Sequence, residues 1–337
     1  MTQDQKTVTL IPLMGPFHLR FPLYNAVSVR DILRDFAPDA VATTALGPGA
    51  FGTPNWQDTP EIPLPLSVIP WARQNGVSVY GVLEPSPDPA AEADFQRYLS
   101  QYEQTRNTVA QLGALLRPLN TLLGEALTLK RIREEVVPIL REQGEVKEEA
   151  FGDGPGTDWL RERTEMMAAR TLALPHERVA VLASVDHAPF LEDALTDKAE
   201  ILPPSEPEPS DEVRQRSLLD FAFRGDVSEP GNVIAQLREL QSAEARFHEA
   251  NLLLANGHTA EALDLLEAVS RDDFSEPYYL PGYLLSRLGQ LRDLAGERDG
   301  ALRAYKGVRA LTWAPREALE AAEAGLAAPF EGLQEAV

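Results

Sequence analysis

One stretch decides the fold class of this chain: Arg178-Val-Ala-Val-Leu-Ala-Ser-Val185. Residues 179–183 within it are apolar, which makes it the clearest strand of the sequence. Residues 76–83 also have a continuous apolar character, which is typical of strands that are covered on both faces of a sheet. Segments rich in helix-forming residues lie between this strand and the earlier strand-like segments, so the sequence predicts an α/β domain whose mixed or mostly parallel sheet is flanked by helices. The earlier predicted strands lie at residues 7–14, 39–45 and 76–83.

The segments between these strands differ in character. Ser28 is expected to cap a helix that Pro38 ends. Residues 47–70 are rich in Gly and Pro and exceed a usual connection in length, so they form either an irregular surface excursion or a functional loop or lid. Further helices are predicted at residues 90–116, 129–143 and 158–172.

The composition changes at residues 203–212, where prolines alternate with acidic residues and neither Lys nor Arg occurs. Proline stiffens such a segment and like charges extend it, which predicts a linker. We therefore expect an α/β domain over residues 1–202, a linker over 203–212 and a helical domain over 213–337.

An internal repeat with a constant offset of 39 residues marks the helical region, because residues 255–269 align with residues 294–308. Each block predicts a helix, a glycine-containing turn and a second helix, an arrangement that resembles the tetratricopeptide repeat, whose usual period is about 34 residues. Such repeats bind peptides, form dimers or brace a neighbouring domain, and these three roles stay open for residues 243–330. The matching turn, small and large apolar positions are Gly257 and Gly296, Ala250 and Gly289, Ala262 and Ala301, and Leu266 and Tyr305.

The composition excludes several classes of function. The 337 residues include 52 acidic and 31 basic side chains, a net charge of −21, so the overall field repels nucleic acids and anionic lipids. The absence of cysteine removes disulfides, Cys-ligated metals and thiol nucleophiles, and is compatible with a reducing cytosol. Neither a leader-like N-terminus nor an uninterrupted apolar run of about 18 residues occurs. We expect a cytoplasmic protein without a nucleic-acid or membrane partner.

Two histidines follow predicted strands. His18 comes after the first strand and His187 after the strand that ends at Val185, so in a parallel sheet both lie at the carboxyl edge, where α/β proteins bind ligands. They could share a metal ion or a substrate, and Asp186 or Glu84 could add a carboxylate. The alternative is that each histidine only bonds backbone groups, and that Asp186 caps a helix.

Three motifs together resemble a known superfamily. They are Gly15-Pro-Phe-His18, Arg163-Thr-Glu-Met-Met167 and His187-Ala-Pro-Phe-Leu191. Residues 7–200 are in this way similar to the superfamily that joins TraB/PrgY proteins, Tiki metalloproteases, erythromycin esterases and ChaN-like haem-binding proteins. The resemblance implies an α/β fold whose site is lined by His18, His187, Arg163 and a glutamate at a strand end.

The sequence departs from that pattern at two places. Ser184 stands where the pattern has a glycine, and the second strand ends in Val41-Ala-Thr-Thr-Ala45 without an acidic residue. These departures favour a divergent, non-catalytic relative that acts as a protein-interaction module through its helical repeats.

Two alternatives stay open. The first is a hydrolase of esters or peptides, of the esterase or metal-dependent peptidase type. In it His18 or His187 acts as general base, Arg163 stabilises negative charge and Glu84 replaces the missing carboxylate. A divalent metal ion would then be held by His18 and His187. The second alternative is a small-molecule or haem binder that uses one of the two histidines as a ligand.

Overall fold

The chain forms two compact units, Met1–Val213 and Arg214–Val337. The first unit contains a five-stranded sheet, and the second, over its described part, contains helices only. The predicted combination of an α/β region with C-terminal helices is confirmed at this level. The computed structural model describes residues 5–84, 97, 103–151, 158–225 and 227–332.

The sheet is parallel throughout and has the strand order β3-β2-β4-β1-β5. The four predicted strands are present. A fifth, β5, lies beside β1 at the edge of the sheet, and its three residues are too few for an apolar pattern to reveal it. The strands are β1 Thr7–Leu13, β2 Ala40–Thr43, β3 Ser78–Gly81, β4 Arg178–Ser184 and β5 Glu200–Leu202.

Seven helices flank this sheet in the described part of the first unit. Asn25 rather than Ser28 caps the first of them, because its Oδ1 accepts hydrogen bonds from the backbone N–H groups of Val27 and Ser28 at 3.0 and 3.2 Å. The region predicted to be helical at 90–116 lies partly outside the described residues. The helices are α1 Ala26–Phe36, α2 Ile69–Asn75, α3 Glu103–Leu122, α4 Leu129–Arg131, α5 Val137–Phe151, α6 Asp158–Ala173 and α7 Ala188–Leu195.

Two π-helical turns extend these helices. Leu64–Val68 leads into α2, and Ile132–Val136 joins α4 to α5. Both turns pack with α1 against one face of the sheet, whereas α6 and α7 cover the other face. Helices α1 and α7, which follow the neighbouring strands β1 and β4, therefore lie on opposite faces. In open α/β sheets, such a reversal is where a ligand crevice forms at the carboxyl ends of the two strands.

The segment predicted as a linker, residues 203–212, lies in the first unit. Pro204 is buried, and Glu212 forms an ion pair with Arg30 of α1. The backbone carbonyl of Val213 accepts a hydrogen bond from Asn25 Nδ2 at 2.9 Å. This segment therefore packs on the α/β unit.

The second unit is built from consecutive helices. The turns after α10 and α12 contain Gly257 and Gly296, both with positive φ (82° and 78°), which glycine adopts without strain. Tyr305 is fully buried, and its ring lies so close to Gly289 that a Cβ there would come within 2.4 Å of it. The helices are α8 Asp211–Arg224, α9 Pro230–Leu240, α10 Ala243–Ala255, α11 Thr259–Val269, α12 Leu280–Leu294, α13 Arg298–Ala310 and α14 Arg316–Ala327.

Candidate active site

The candidate site lies where β1, β4 and β2 end side by side. The register pairs Leu13 with Ser184, so the residues that follow β1 and β4 emerge together at the carboxyl edge. Thr44, the first residue after β2, accepts a hydrogen bond on its Oγ1 from the backbone N–H of Ser184 at 2.9 Å. The three strand ends are therefore held in one fixed arrangement.

Glu61 brings a carboxylate into this arrangement from the loop between β2 and α2. Its side chain is only 4% exposed. Oε1 accepts a hydrogen bond from Ser184 Oγ at 2.6 Å, and Oε2 accepts one from the backbone N–H of Gly15 at 2.8 Å. Burial raises the pKa of Glu61, and these two hydrogen bonds partly oppose that rise.

Sequence reasoning missed Glu61. The family resemblance places an acidic residue at the end of the second strand, which has none, whereas the buried carboxylate of this arrangement comes from a residue 17 positions beyond Thr44. Its one sequence signal is a lone acid in an apolar, proline-rich stretch, Pro60-Glu-Ile-Pro-Leu64. Residues 47–70 are therefore more than a surface excursion, because they deliver a buried side chain to the crevice.

His187 follows β4 and is half-buried. Its Nδ1 lies 3.5 Å from Thr44 Oγ1, and among the described residues no group hydrogen-bonds its Nε2. Burial, together with the positive charge of Arg163 on α6, lowers the pKa of His187 to about 4. The imidazole is therefore neutral at neutral pH, and it keeps a ring nitrogen available.

Asp186 stands next to His187 at the rim of the crevice. Its side chain reaches solvent, yet the surrounding protein atoms crowd it enough that desolvation raises its pKa. Its negative charge in turn contributes to the raised pKa of Glu61. Asp186 therefore influences the protonation of Glu61, as Arg163 influences that of His187.

His18, which was predicted as a base and metal ligand, has a different environment. It is buried, with its Nε2 accepting a hydrogen bond from the backbone N–H of Met14 at 3.0 Å. Its Nδ1 lies 2.7 Å from the backbone carbonyl oxygen of Tyr24, so Nδ1 carries the proton and donates it there. Both ring nitrogens are used, and burial lowers the pKa of His18 to about 4. This environment matches the alternative in which the histidine bonds backbone groups.

Glu84 lies apart from the two histidines. It forms an ion pair with Arg170, which also donates to the backbone carbonyls of Val82 and Leu83 at 3.2 and 2.9 Å. These contacts fix the chain just beyond β3, an edge strand that β2 separates from β4. Glu84 therefore braces the sheet edge and does not supply the missing carboxylate of the crevice.

The donor set does not fit the divalent metal ion that the sequence suggested. His18 has no ring nitrogen to offer, and within the described ranges no three His, Asp or Glu side chains are placed to hold an ion. Of the two histidines, His187 alone keeps a nitrogen that could ligate haem iron.

Comparisons with protein-family models, with curated proteins and with solved structures found no match to this chain. The resemblance to the TraB/PrgY, Tiki, erythromycin esterase and ChaN-like superfamily stays a prediction. In the part of the chain that the structure describes, no helix is both long and apolar enough to span a bilayer.

Proposed function

We propose that this chain is a hydrolase of esters or peptides that works in the crevice formed by Glu61, Asp186, His187 and Arg163. One observation carries the proposal: a half-buried, neutral histidine with an available nitrogen lies within the field of an arginine at the carboxyl edge of a parallel sheet. Shifted pKa values in such a crevice are typical of acid–base catalysis.

The proposed reaction needs one water molecule and no metal ion. The water oxygen attacks the carbonyl carbon of the substrate while its proton passes to His187. Arg163 stabilises the negative charge that develops on the carbonyl oxygen. The proton then moves from His187 to the departing alkoxide or amine, which leaves an acid and an alcohol or amine as products.

The two carboxyl groups have supporting roles in this scheme. Asp186 adds negative charge at the rim of the crevice, where it helps to raise the pKa of Glu61. Glu61 joins the ends of β1 and β4, since Gly15 and Ser184 both donate to it. The crevice therefore has a carboxylate in a fixed position before substrate arrives.

The test is turnover of a panel of p-nitrophenyl esters and fluorogenic peptides by the wild type and by His187→Gln. We expect the variant to lose about 10²- to 10⁴-fold in kcat/KM, the usual contribution of a positioned acid–base group. His258→Gln is the matched control, because His258 is 54% exposed and lies in the second unit. A wild type that is inert on every substrate, or a variant that equals it, contradicts the proposal.

We also propose that α10–α13 form tetratricopeptide-like pairs that bind a peptide over residues 243–330, in a cytoplasmic protein. Two matches between the repeats support this proposal. The turns contain Gly257 and Gly296, and the buried large residues at matching positions are Leu266 and Tyr305.

The test of peptide binding is fluorescence anisotropy of a labelled peptide library with the full chain. Saturable binding in the micromolar range is expected. Peptide binding together with an unaffected His187→Gln variant would favour the non-catalytic interaction module instead.

A further inference from the structure

His18 closes a tight turn at the end of β1. The turn runs over the 3₁₀ segment Gly15–Arg20, and the imidazole reaches back to the N–H of Met14 and forward to the carbonyl of Tyr24. The hydroxyl of Tyr24 donates to the backbone carbonyl of Pro12 at 2.7 Å, which ties the far side of the turn to the strand. The imidazole therefore links the backbone groups of two residues on either side of the turn.

These hydrogen bonds determine where the backbone N–H of Gly15 points. Gly15 has a φ of +56°, and a Cβ there would contact the carbonyl oxygen of Pro60 at 3.5 Å. In this conformation its N–H donates to Glu61 Oε2 at 2.8 Å. Gly15 follows Met14 directly, so the bond from Met14 N–H to His18 sets the backbone position from which Gly15 holds Glu61.

We infer that His18 is a positioning residue, whose imidazole shapes the Gly15–Arg20 turn so that Gly15 holds the Glu61 carboxylate in the crevice. It does not itself touch the reacting atoms, because both of its nitrogens are bonded to backbone groups. The kinetic part of this inference rests on the proposed hydrolase function; its spectroscopic part does not.

Glutamine is the substitution that separates positioning from catalysis. The oxygen and nitrogen of its amide are about as far apart as the two nitrogens of an imidazole, and they offer one acceptor and one donor. Glutamine can therefore accept from Met14 N–H and donate to the Tyr24 carbonyl, but it cannot carry a proton between substrate and water. Alanine provides neither bond.

The first experiment needs no turnover. The ¹⁵N signals of the His18 ring are recorded on the full chain between pH 5.5 and 8, and are identified by their absence from His18→Gln. We expect a neutral ring with its proton on Nδ1 throughout this range. An imidazole that gains a second proton above pH 6, or that carries its proton on Nε2, overturns the inference.

The second experiment compares His18→Gln with His18→Ala. We expect kcat/KM of His18→Gln to stay within about tenfold of wild type and that of His18→Ala to fall at least 100-fold further. The ¹³C titration of the Glu61 carboxyl should remain wild-type-like in the glutamine variant. In the alanine variant its pKa should rise further above the usual value, because the Gly15 hydrogen bond that opposes the rise is weakened. Equal loss of activity in both variants, with a folded glutamine variant, overturns the inference.

These outcomes distinguish the two proposals. A chain that turns over no substrate, yet shows the expected His18 ring signals and Glu61 titrations, contradicts the hydrolase function and leaves the positioning role supported. If His18→Ala does not fold, the ring signals of the wild type and the activity of His18→Gln still decide the matter.

Discussion

Two groups of ionisable side chains, one in each unit, are built differently. In the crevice of the α/β unit, His187 keeps a nitrogen available and Asp186 reaches solvent. In the helical unit, Arg216, Asp220 and Glu244 are each less than a tenth exposed. Arg216 Nε lies 2.8 Å from Asp220 Oδ1, its Nη1 donates to Glu244 Oε2 at 3.0 Å, and Tyr279 also donates to Glu244.

The difference separates charges that are closed off from solvent from charges that we propose to be reactive. The helical cluster joins α8, α10 and α12 and is closed off from solvent, so its charges serve packing and have no access to a ligand. Such a cluster is sensitive to the loss of one member, since a buried charge is then left without its partner. The crevice leaves one base accessible, and a substitution there is expected to change chemistry more than stability.

The largest effect is expected from breaking the helical cluster with Arg216→Met. Asp220 and Glu244 would lose their shared cation, which should reduce the free energy of unfolding by about 3–5 kcal/mol. Urea denaturation of the full chain, followed by circular dichroism, measures this loss. Arg303→Met on the exposed side of α13 is the control and should change stability by less than about 0.5 kcal/mol. Similar effects of the two substitutions would contradict the structural role of the cluster.

Arg163→Gln is expected to act on the crevice with little effect on folding. Loss of the guanidinium should lower kcat by about 10²- to 10³-fold, equivalent to about 2.7–4 kcal/mol of transition-state stabilisation. Because the charge of Arg163 depresses the pKa of His187, that pKa should rise in the variant. Kinetics and a ¹H–¹³C titration of His187 report the two effects. An unchanged His187 titration would show that the two side chains do not interact.

The stability of the helical unit is expected to depend on pH through Asp220. Burial raises the pKa of Asp220 to about 7, against an ordinary value of 3.8, although Arg216 and Arg224 oppose the rise and Glu244 adds to it. The folded state therefore binds more protons than the unfolded state between pH 4 and 7, and stability falls as the pH rises through this window.

Other charged and titratable groups of the helical unit contact Glu244 and Glu249. His248 of α10 lies 3.6 Å from Glu244, Tyr279 belongs to the Glu244 network, and Arg238 of α9 pairs with Glu249. Desolvation alone would raise the pKa of Glu244. The positive charge of Arg216 has the larger opposing effect, and together with His248 it lowers this pKa to about 2. The stability that Glu244 contributes is present above about pH 4.5 and is lost as the pH falls toward 2.

Asp220→Asn should remove the first of these two pH dependences. Relative to wild type, the variant should gain about 2–4 kcal/mol between pH 4 and pH 8, because it no longer releases a proton from a buried site. Unfolding free energies at pH 4, 6 and 8 test this, with Asp264→Asn on an exposed surface as the control. A constant difference between variant and wild type across this range contradicts the expectation.

The smallest effect is expected for Ser184→Ala. The substitution removes one of the two hydrogen bonds to Glu61 and should reduce stability by about 1 kcal/mol. Since that hydrogen bond lowers the pKa of Glu61, the pKa should rise further in the variant. Thermal unfolding and a ¹³C titration of Glu61 measure both, against the exposed Ser228→Ala. A Glu61 titration that does not move would mean that Ser184 does not hold the carboxylate.

The strands were predictable because a strand that is buried on both faces needs a run of consecutive apolar residues. Residues 179–183, for example, are apolar throughout and form the centre of β4. Strand β5 has no such run, since three residues at a sheet edge do not need one. The cap of α1 was wrong by three residues because Asn25 and Ser28 both suit that role, and only geometry separates them.

The crevice was only partly predictable. The position of His187 after β4 followed from a strand end, and Arg163 was indicated by the family resemblance alone. The partners of Glu61 are 46 and 123 residues distant in sequence, and a loop that folds back over this distance leaves no spacing to recognise. The role of His18 depends on hydrogen bonds to the backbone of Met14 and Tyr24. Every residue type has these backbone groups, so no residue pattern predicts the bonds.

We propose that His187, and not His18, is the reactive histidine of the crevice. The most direct test is kcat/KM of wild type, His187→Gln and His18→Gln, measured side by side on one substrate that the wild type turns over. We predict a loss of at least 100-fold for His187→Gln and a value within about tenfold of wild type for His18→Gln. A His187→Gln enzyme that keeps the kcat/KM of the wild type, or an equal loss of kcat/KM in both variants, would contradict this proposal.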